Sequence, residues 1–101
     1  MIIYGIKNCD KVRAALKQAK QANYDLRLHD FRQDGIDVAL VEAMLVDIDM
    51  QQLLNKRSTS YRQLDAETQQ NIDIETLVTH PTLIKRPVVF NNGHYSIGLP
   101  L

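Results

Sequence analysis

Between Ile6 and Val12 the spacing of apolar side chains changes period, and that change limits what this chain can fold into. Residues 1–6 are a short apolar run ending at Gly5-Ile6, the pattern of a buried strand that starts at the first residue. From Asp10 onward Val12, Ala15, Leu16, Ala19 and Ala22 recur at helical spacing, while Lys11, Arg13, Lys17 and Lys20 fall mostly elsewhere. This predicts an amphipathic helix to about residue 22, stopped at Asn23. Tyr24, Leu26 and Leu28 then alternate with Asp25, Arg27 and His29, which predicts a second strand to about Phe31. Such a strand–helix–strand opening makes a parallel pair through a right-handed crossover.

The remainder completes the sheet. Gln33-Asp34-Gly35 is a turn signal, and Leu40, Val41, Met44, Leu45 and Ile48 share one face of a second helix. Residues 50–64 are polar and nearly aperiodic, which suggests short helical turns around a loop at Lys56 to Ser60. Asp73 can cap a third helix carrying Ile74, Leu77 and Val78, which must end before Pro81 because the ring disfavours helix at His80. Pro87-Val88-Val89-Phe90 reads as a strand, Asn91-Asn92-Gly93 as a hairpin turn, and His94 to Leu99 as the returning strand. The predicted fold class is therefore α/β: a thioredoxin-like fold, with a four-stranded mixed sheet and a helical insertion between the second and third strands. The order of strands in the sheet does not follow from the sequence. No linker or repeat interrupts residues 1–101, so a single domain is expected. A chain of this length buries roughly 60–70% of its unfolded surface, enough for a core without metal or cross-link.

Charge excludes several classes of partner. Lys+Arg and Asp+Glu both number 12, so no basic footprint for nucleic acid or an acidic membrane surface appears. There is no apolar run long enough for a spanning helix, and the opening Met-Ile-Ile-Tyr-Gly lacks the pattern of a secretion signal. His29, His80 and His94 are scattered and lack the spacing of a metal site. A single cysteine, Cys9, cannot form an internal disulfide, and the expected location is a reducing cytoplasm.

Cys9 falls where the first strand gives way to the first helix. Backbone N–H groups at a helix start lack intrahelical partners and carry partial positive charge, which favours a thiolate there. Free cysteine is often just a small buried hydrophobe, but the polar flanks Lys7-Asn8 and Asp10-Lys11 argue for exposure and a reactive role. Asp10 opposes thiolate formation as a neighbouring anion, whereas Lys11 and Arg13 support it. The third residue beyond Cys9 is Val12, so there is no Cys-x-x-Cys pair and no internal resolving thiol. Turnover then needs an external thiol such as glutathione. Asn8 is either an amide donor toward the sulfur or an ordinary turn residue. Pro87 opens a strand, where proline is tolerated, and in thioredoxin-like domains the proline in this place is usually cis and faces the catalytic helix. Arg86 would then bring a guanidinium near Cys9 to pair with the thiolate, an oxyanion or a carboxylate; the alternative is a solvated surface arginine. Arg57, in Asn55-Lys56-Arg57-Ser58-Thr59-Ser60, would close the site from the other side, with the three hydroxyl residues left as turn residues.

Three segments together resemble the ArsC family, the group that contains arsenate reductases, Spx regulators and YffB-like proteins. They are Ile-Tyr-Gly-Ile-Lys-Asn-Cys-Asp at 3–10, Leu-Leu-Asn-Lys-Arg-Ser-Thr-Ser-Tyr-Arg at 53–62, and His-Pro-Thr-Leu-Ile-Lys-Arg-Pro-Val-Val at 80–89. The Lys-Asn-Cys-Asp opening is most similar to the YffB-like branch. The resemblance implies a thiol reductase or thiol-transferase with Cys9 as nucleophile, Asn8, Arg57, Arg86 and Pro87 as substrate-binding residues, glutathione as co-substrate and glutaredoxin as a further partner. It also implies two alternatives: a regulator that docks on RNA polymerase, as Spx does, and an arsenate reductase. Arsenate reductases of the family place three arginines around the oxyanion. Here Arg86 matches one, Asn55 stands at the second position with Arg57 two residues on, and Gly98 stands at the third. Family members usually carry a further helix after the hairpin; here the sequence stops at Gly98-Leu99-Pro100-Leu101, so either it is truncated or that helix is disordered or absent, which would leave an apolar patch on one sheet face to drive association.

Overall fold

The computed structural model describes residues 1–7 and 9–99. They form two compact units, one built from Met1–Gly35 together with the segment from Arg86 onward, the other from Ile36–Lys85.

The first unit is an α/β layer pair of thioredoxin-like type. Strand β1 (Ile2–Gly5) leads to helix α1 (Asp10–Gln21) and strand β2 (Arg27–Asp30); β3 (Val88–Asn91) and β4 (His94–Ile97) form the closing hairpin. The sheet order is β2-β1-β3-β4, with β1 parallel to β2 and antiparallel to β3, and β3 antiparallel to β4. Side chains alternate across the sheet, so Ile3 and Val89, paired across β1 and β3, join Val12, Ala15 and Ala19 of α1 in one buried cluster. Ile3, Val12 and Val89 are fully buried, each worth about 1.5–3 kcal/mol relative to exposure.

Gly5 ends β1 where strand and helix approach most closely. A Cβ added there would lie 2.5 Å from Cγ2 of Val12, a stiff, fully buried side chain with no room to withdraw. Gly5→Ala is therefore expected to destabilise the protein by about 1–3 kcal/mol, read as a lower urea midpoint at unchanged slope.

Two strand limits differ from expectation by more than one residue. The second strand begins at Arg27 rather than Tyr24, because the end of α1 consumes the intervening backbone: Tyr24 N–H donates to Ala19 O at 3.1 Å, and Asn23 adopts a left-handed φ of 61°. The last strand stops at Ile97 rather than Leu99, where Gly98 turns with φ 78°.

The second unit is helical: α2 (Val38–Asp47), α3 (Met50–Leu53), α4 (Thr59–Gln63), α5 (Ala66–Gln70), α6 (Ile74–Thr79) and a 3-10 turn at Pro81–Leu83. Four of these helices start on a side chain that accepts a backbone N–H of the first turn: Asp37 from Leu40, Ser58 from Tyr61, Asp65 from Thr68 and Asp73 from Thr76. Helix α2 packs against α6, and Val41, Met44 and Leu77 are fully buried. Leu54 bridges to Ile84, with Asn55 N–H donating to Leu83 O and Lys85 N–H to Leu53 O. The loop expected at Lys56 to Ser60 is shorter than predicted, since Thr59 and Ser60 already belong to α4 behind the Ser58 cap. Helix α5 was unforeseen because residues 64–72 carry no apolar period. Among the described residues, no helix is long and apolar enough to cross a membrane.

Candidate functional site

Cys9 is the N-cap of α1, in extended conformation (φ −92°, ψ 130°). Its N–H donates to Ile6 O and its carbonyl accepts from Arg13 N–H, both at 3.0 Å, so its backbone is fixed on both sides. The side chain does not cap the helix. One flank rests against the Ile3–Val12–Val89 cluster, yet the residue is only half-buried, so the sulfur sits at the margin of the core. Val12, at the position a resolving cysteine would take, is sealed inside that core. The neighbouring anion Asp10 is paired with Arg13 on the surface of α1.

Arg86 and Pro87 are brought to the same end of the same sheet. In the β1–β3 register Tyr4 lies opposite Val88, so the residues preceding Val88 run beside the end of β1, where the chain leaves toward Cys9. The Arg86–Pro87 bond is cis, as expected for a thioredoxin-like domain; Pro87 is buried and Arg86 half-buried. Gly98 N–H donates to Pro87 O at 2.9 Å, which carries the hairpin pairing up to the proline. The position expected to bear a third arginine is thus a left-handed glycine directly beside Pro87. Asn8 lies outside the described residues. Arg57 belongs to the second unit, where it is exposed and its N–H donates to Asn55 Oδ1 at 3.1 Å; Ser58 acts as a helix cap.

Asp30 is the residue that sequence reasoning missed. It is the single buried charged or polar side chain among the described residues, at 3% exposure. Oδ2 accepts the Lys7 N–H at 2.9 Å, and Oδ1 accepts those of Arg32 at 2.7 Å and Gln33 at 3.3 Å. Burial pushes its carboxyl up, but these three N–H donors and the Arg32 charge outweigh burial and hold it below the ordinary 3.8. The available signal was an aspartate at a strand end followed by Phe-Arg-Gln-Asp-Gly, the context in which an Asp side chain binds the backbone ahead of it.

On the other face of the sheet Tyr4 stacks near His29, Phe31 and Tyr95, with ring centroids 4.9, 6.3 and 5.8 Å away. Burial and the hydrogen bond to Tyr95 push its hydroxyl up to about 12.

A half-buried thiol at the start of α1 and an Arg86–cis-Pro87 bond thus share one end of the sheet. The model of the ArsC family matches residues 4–101. The chain belongs to the ArsC family. An uncharacterized protein of Haemophilus influenzae is 40% identical over 100 residues, covering 95% of this chain and 88% of that protein. Among solved structures, the YffB protein superposes with a TM-score of 0.88 at 29% identity, covering 97% of this chain and 90% of its own. An arsenate reductase (ArsC) related protein from Brucella melitensis superposes with a TM-score of 0.80 at 31% identity, covering 97% and 85%. An arsenate reductase from Vibrio cholerae, at 21% identity and a TM-score of 0.78, shares the fold.

Proposed function

We propose that this ArsC-family protein is a glutathione-dependent thiol-transferase with Cys9 as its nucleophile. The observation that carries this reading is the half-buried Cys9 at the N-cap of α1, at the end of the sheet where the Arg86–cis-Pro87 bond leads into β3. The Cys9 thiolate attacks the glutathione sulfur of a mixed disulfide; the S–S bond breaks, and the substrate sulfur leaves as a thiolate and takes a proton from water. A second glutathione thiolate then attacks the sulfur bound to Cys9, releasing oxidised glutathione and restoring the Cys9 thiolate. The second step is intermolecular because Val12 offers no resolving thiol. Arg86 supplies a cation for a glutathione carboxylate.

Arsenate fits this site less well. Charge-assisted hydrogen bonds contribute roughly 1.5–3 kcal/mol each, and Gly98, whose N–H donates to Pro87 O, offers no guanidinium.

The test is incubation with a glutathionylated peptide and glutathione, following free peptide thiol and the mass of the protein. The expected result is catalytic release of peptide and a transient adduct of one glutathione on Cys9. Alkylation of Cys9 at neutral pH no faster than that of free cysteine would overturn the reading. Capture of RNA polymerase without transfer activity would replace it with a docking role, and arsenate turnover with glutathione and glutaredoxin would replace the substrate.

A further inference from the structure

We infer that Asp30 is a positioning residue for Cys9: its buried carboxylate ties the start of the Cys9 loop to the end of the neighbouring strand. The inference rests on the reactive role proposed for Cys9. The geometry lies wholly within the first unit. Strand β1 ends at Gly5, and the chain must turn out of the sheet before α1 begins at Asp10. Among the described residues, that turn is held by Cys9 N–H to Ile6 O from within the loop and by Lys7 N–H to Asp30 Oδ2 from outside it. Asp30 can reach Lys7 because β1 and β2 are parallel and in register, with Gly5 opposite Asp30, so both strands end together.

The carboxylate is itself held from the opposite side. Its second oxygen accepts from Arg32 and Gln33, its own N–H donates to Asp34 Oδ2 at 2.9 Å, and Asp34 N–H returns to Asp30 O at 2.7 Å. Phe31 N–H also donates to Gly5 O at 2.9 Å. The carboxylate thus joins the turn after β2, through Oδ1, to the start of the Cys9 loop, through Oδ2. A buried carboxylate accepting on both oxygens is difficult to replace, since an amide of the same shape has one acceptor only.

Asparagine at position 30 exploits this difference. Its oxygen satisfies the two donors of Arg32 and Gln33, which leaves its NH2 group facing the Lys7 N–H, donor against donor. Asp30→Asn therefore releases the Cys9 loop while the turn retains its acceptor. Asp34→Ala is the matched control, since it weakens the same turn through the Asp30 N–H and leaves the grip on Lys7 in place.

Misplacement of a reacting group by about 1 Å can lower a rate by about a hundredfold, so the thiol should register loss of this anchor strongly. In folded Asp30→Asn, amide exchange at Lys7 is expected to accelerate, and kcat for thiol transfer to fall by about ten- to a hundredfold with KM within about twofold. Asp34→Ala, though less stable to urea, is expected to keep wild-type kcat. Equal loss of kcat in both variants would make Asp30 a purely structural residue and overturn the inference, as would wild-type kcat in folded Asp30→Asn with a released Lys7 amide. If Asp30→Asn does not fold, deuterium exchange of the wild-type protein decides: Lys7 exchanging as fast as an unprotected amide overturns the anchor, and protection matching that of Arg32 supports it. A wild-type Cys9 no more reactive than free cysteine is a separate outcome, which removes the functional reading and this inference with it.

Discussion

Cys9→Ser is expected to lower the proposed glutathione-dependent thiol transfer by at least about a thousandfold while leaving the protein at least as stable as before. A serine hydroxyl stays un-ionised near neutral pH and forms no S–S bond, so neither half of the exchange can run. Stability should not fall, because the cysteine sulfur makes no capping bond in the native structure. Serine is among the best N-cap residues, so its oxygen can take up an N–H of the first turn of α1 and add a few tenths to about 1 kcal/mol. Transfer assays and urea titration on the same sample separate the two effects. Residual activity above about a tenth of wild type would mean that chemistry proceeds elsewhere on the molecule.

Asp30→Ala is expected to remove about 3 kcal/mol of stability at neutral pH. Three backbone donors lose a charged acceptor, at roughly 1.5–3 kcal/mol per bond, and rehydration of the freed N–H groups of exposed Lys7, Arg32 and Gln33 offsets part of this. The pH dependence has a definite sign. With the native carboxyl held below its unfolded value, the unfolded chain binds more protons through that window, so stability rises with pH there. The contribution is complete above the ordinary value of 3.8 and disappears as pH falls through the lower native value. Asp65, held down by the side-chain hydroxyl and N–H of Thr68, and Asp73, held down by the N–H and hydroxyl of Thr76, act with the same sign from exposed helix caps. Urea midpoints at neutral pH and near pH 3 check this: the wild type should lose more on acidification than Asp30→Ala. Equal losses in the two proteins would show that Asp30 does not titrate with folding.

Much of the fold was legible because its signals are local. The change of period at Asp10, the Asp73 cap, the stop before Pro81 and the Asn91-Asn92-Gly93 turn each depend on neighbours within a few residues, and each appears where expected. The misreadings share a cause. Tyr24 to Leu26 alternates like a strand, but the end of α1 takes up its backbone; residues 66–70 have no apolar period, and their helix rests on an Asp65–Thr68 cap.

The thiol, its polar flanks, the missing resolving cysteine and the proline before an apolar strand are properties of the chain, readable without coordinates. Tertiary structure decided the order β2-β1-β3-β4, which sets Arg86-Pro87 beside the end of β1, and it decided the place of Asp30. Strand pairing joins segments separated by many residues through backbone groups that every residue carries, so side-chain identity cannot announce the partner. The Lys7–Asp30 bond, spanning 23 residues from an unremarked amide to an unremarked aspartate, arises only after the two strands lie in register.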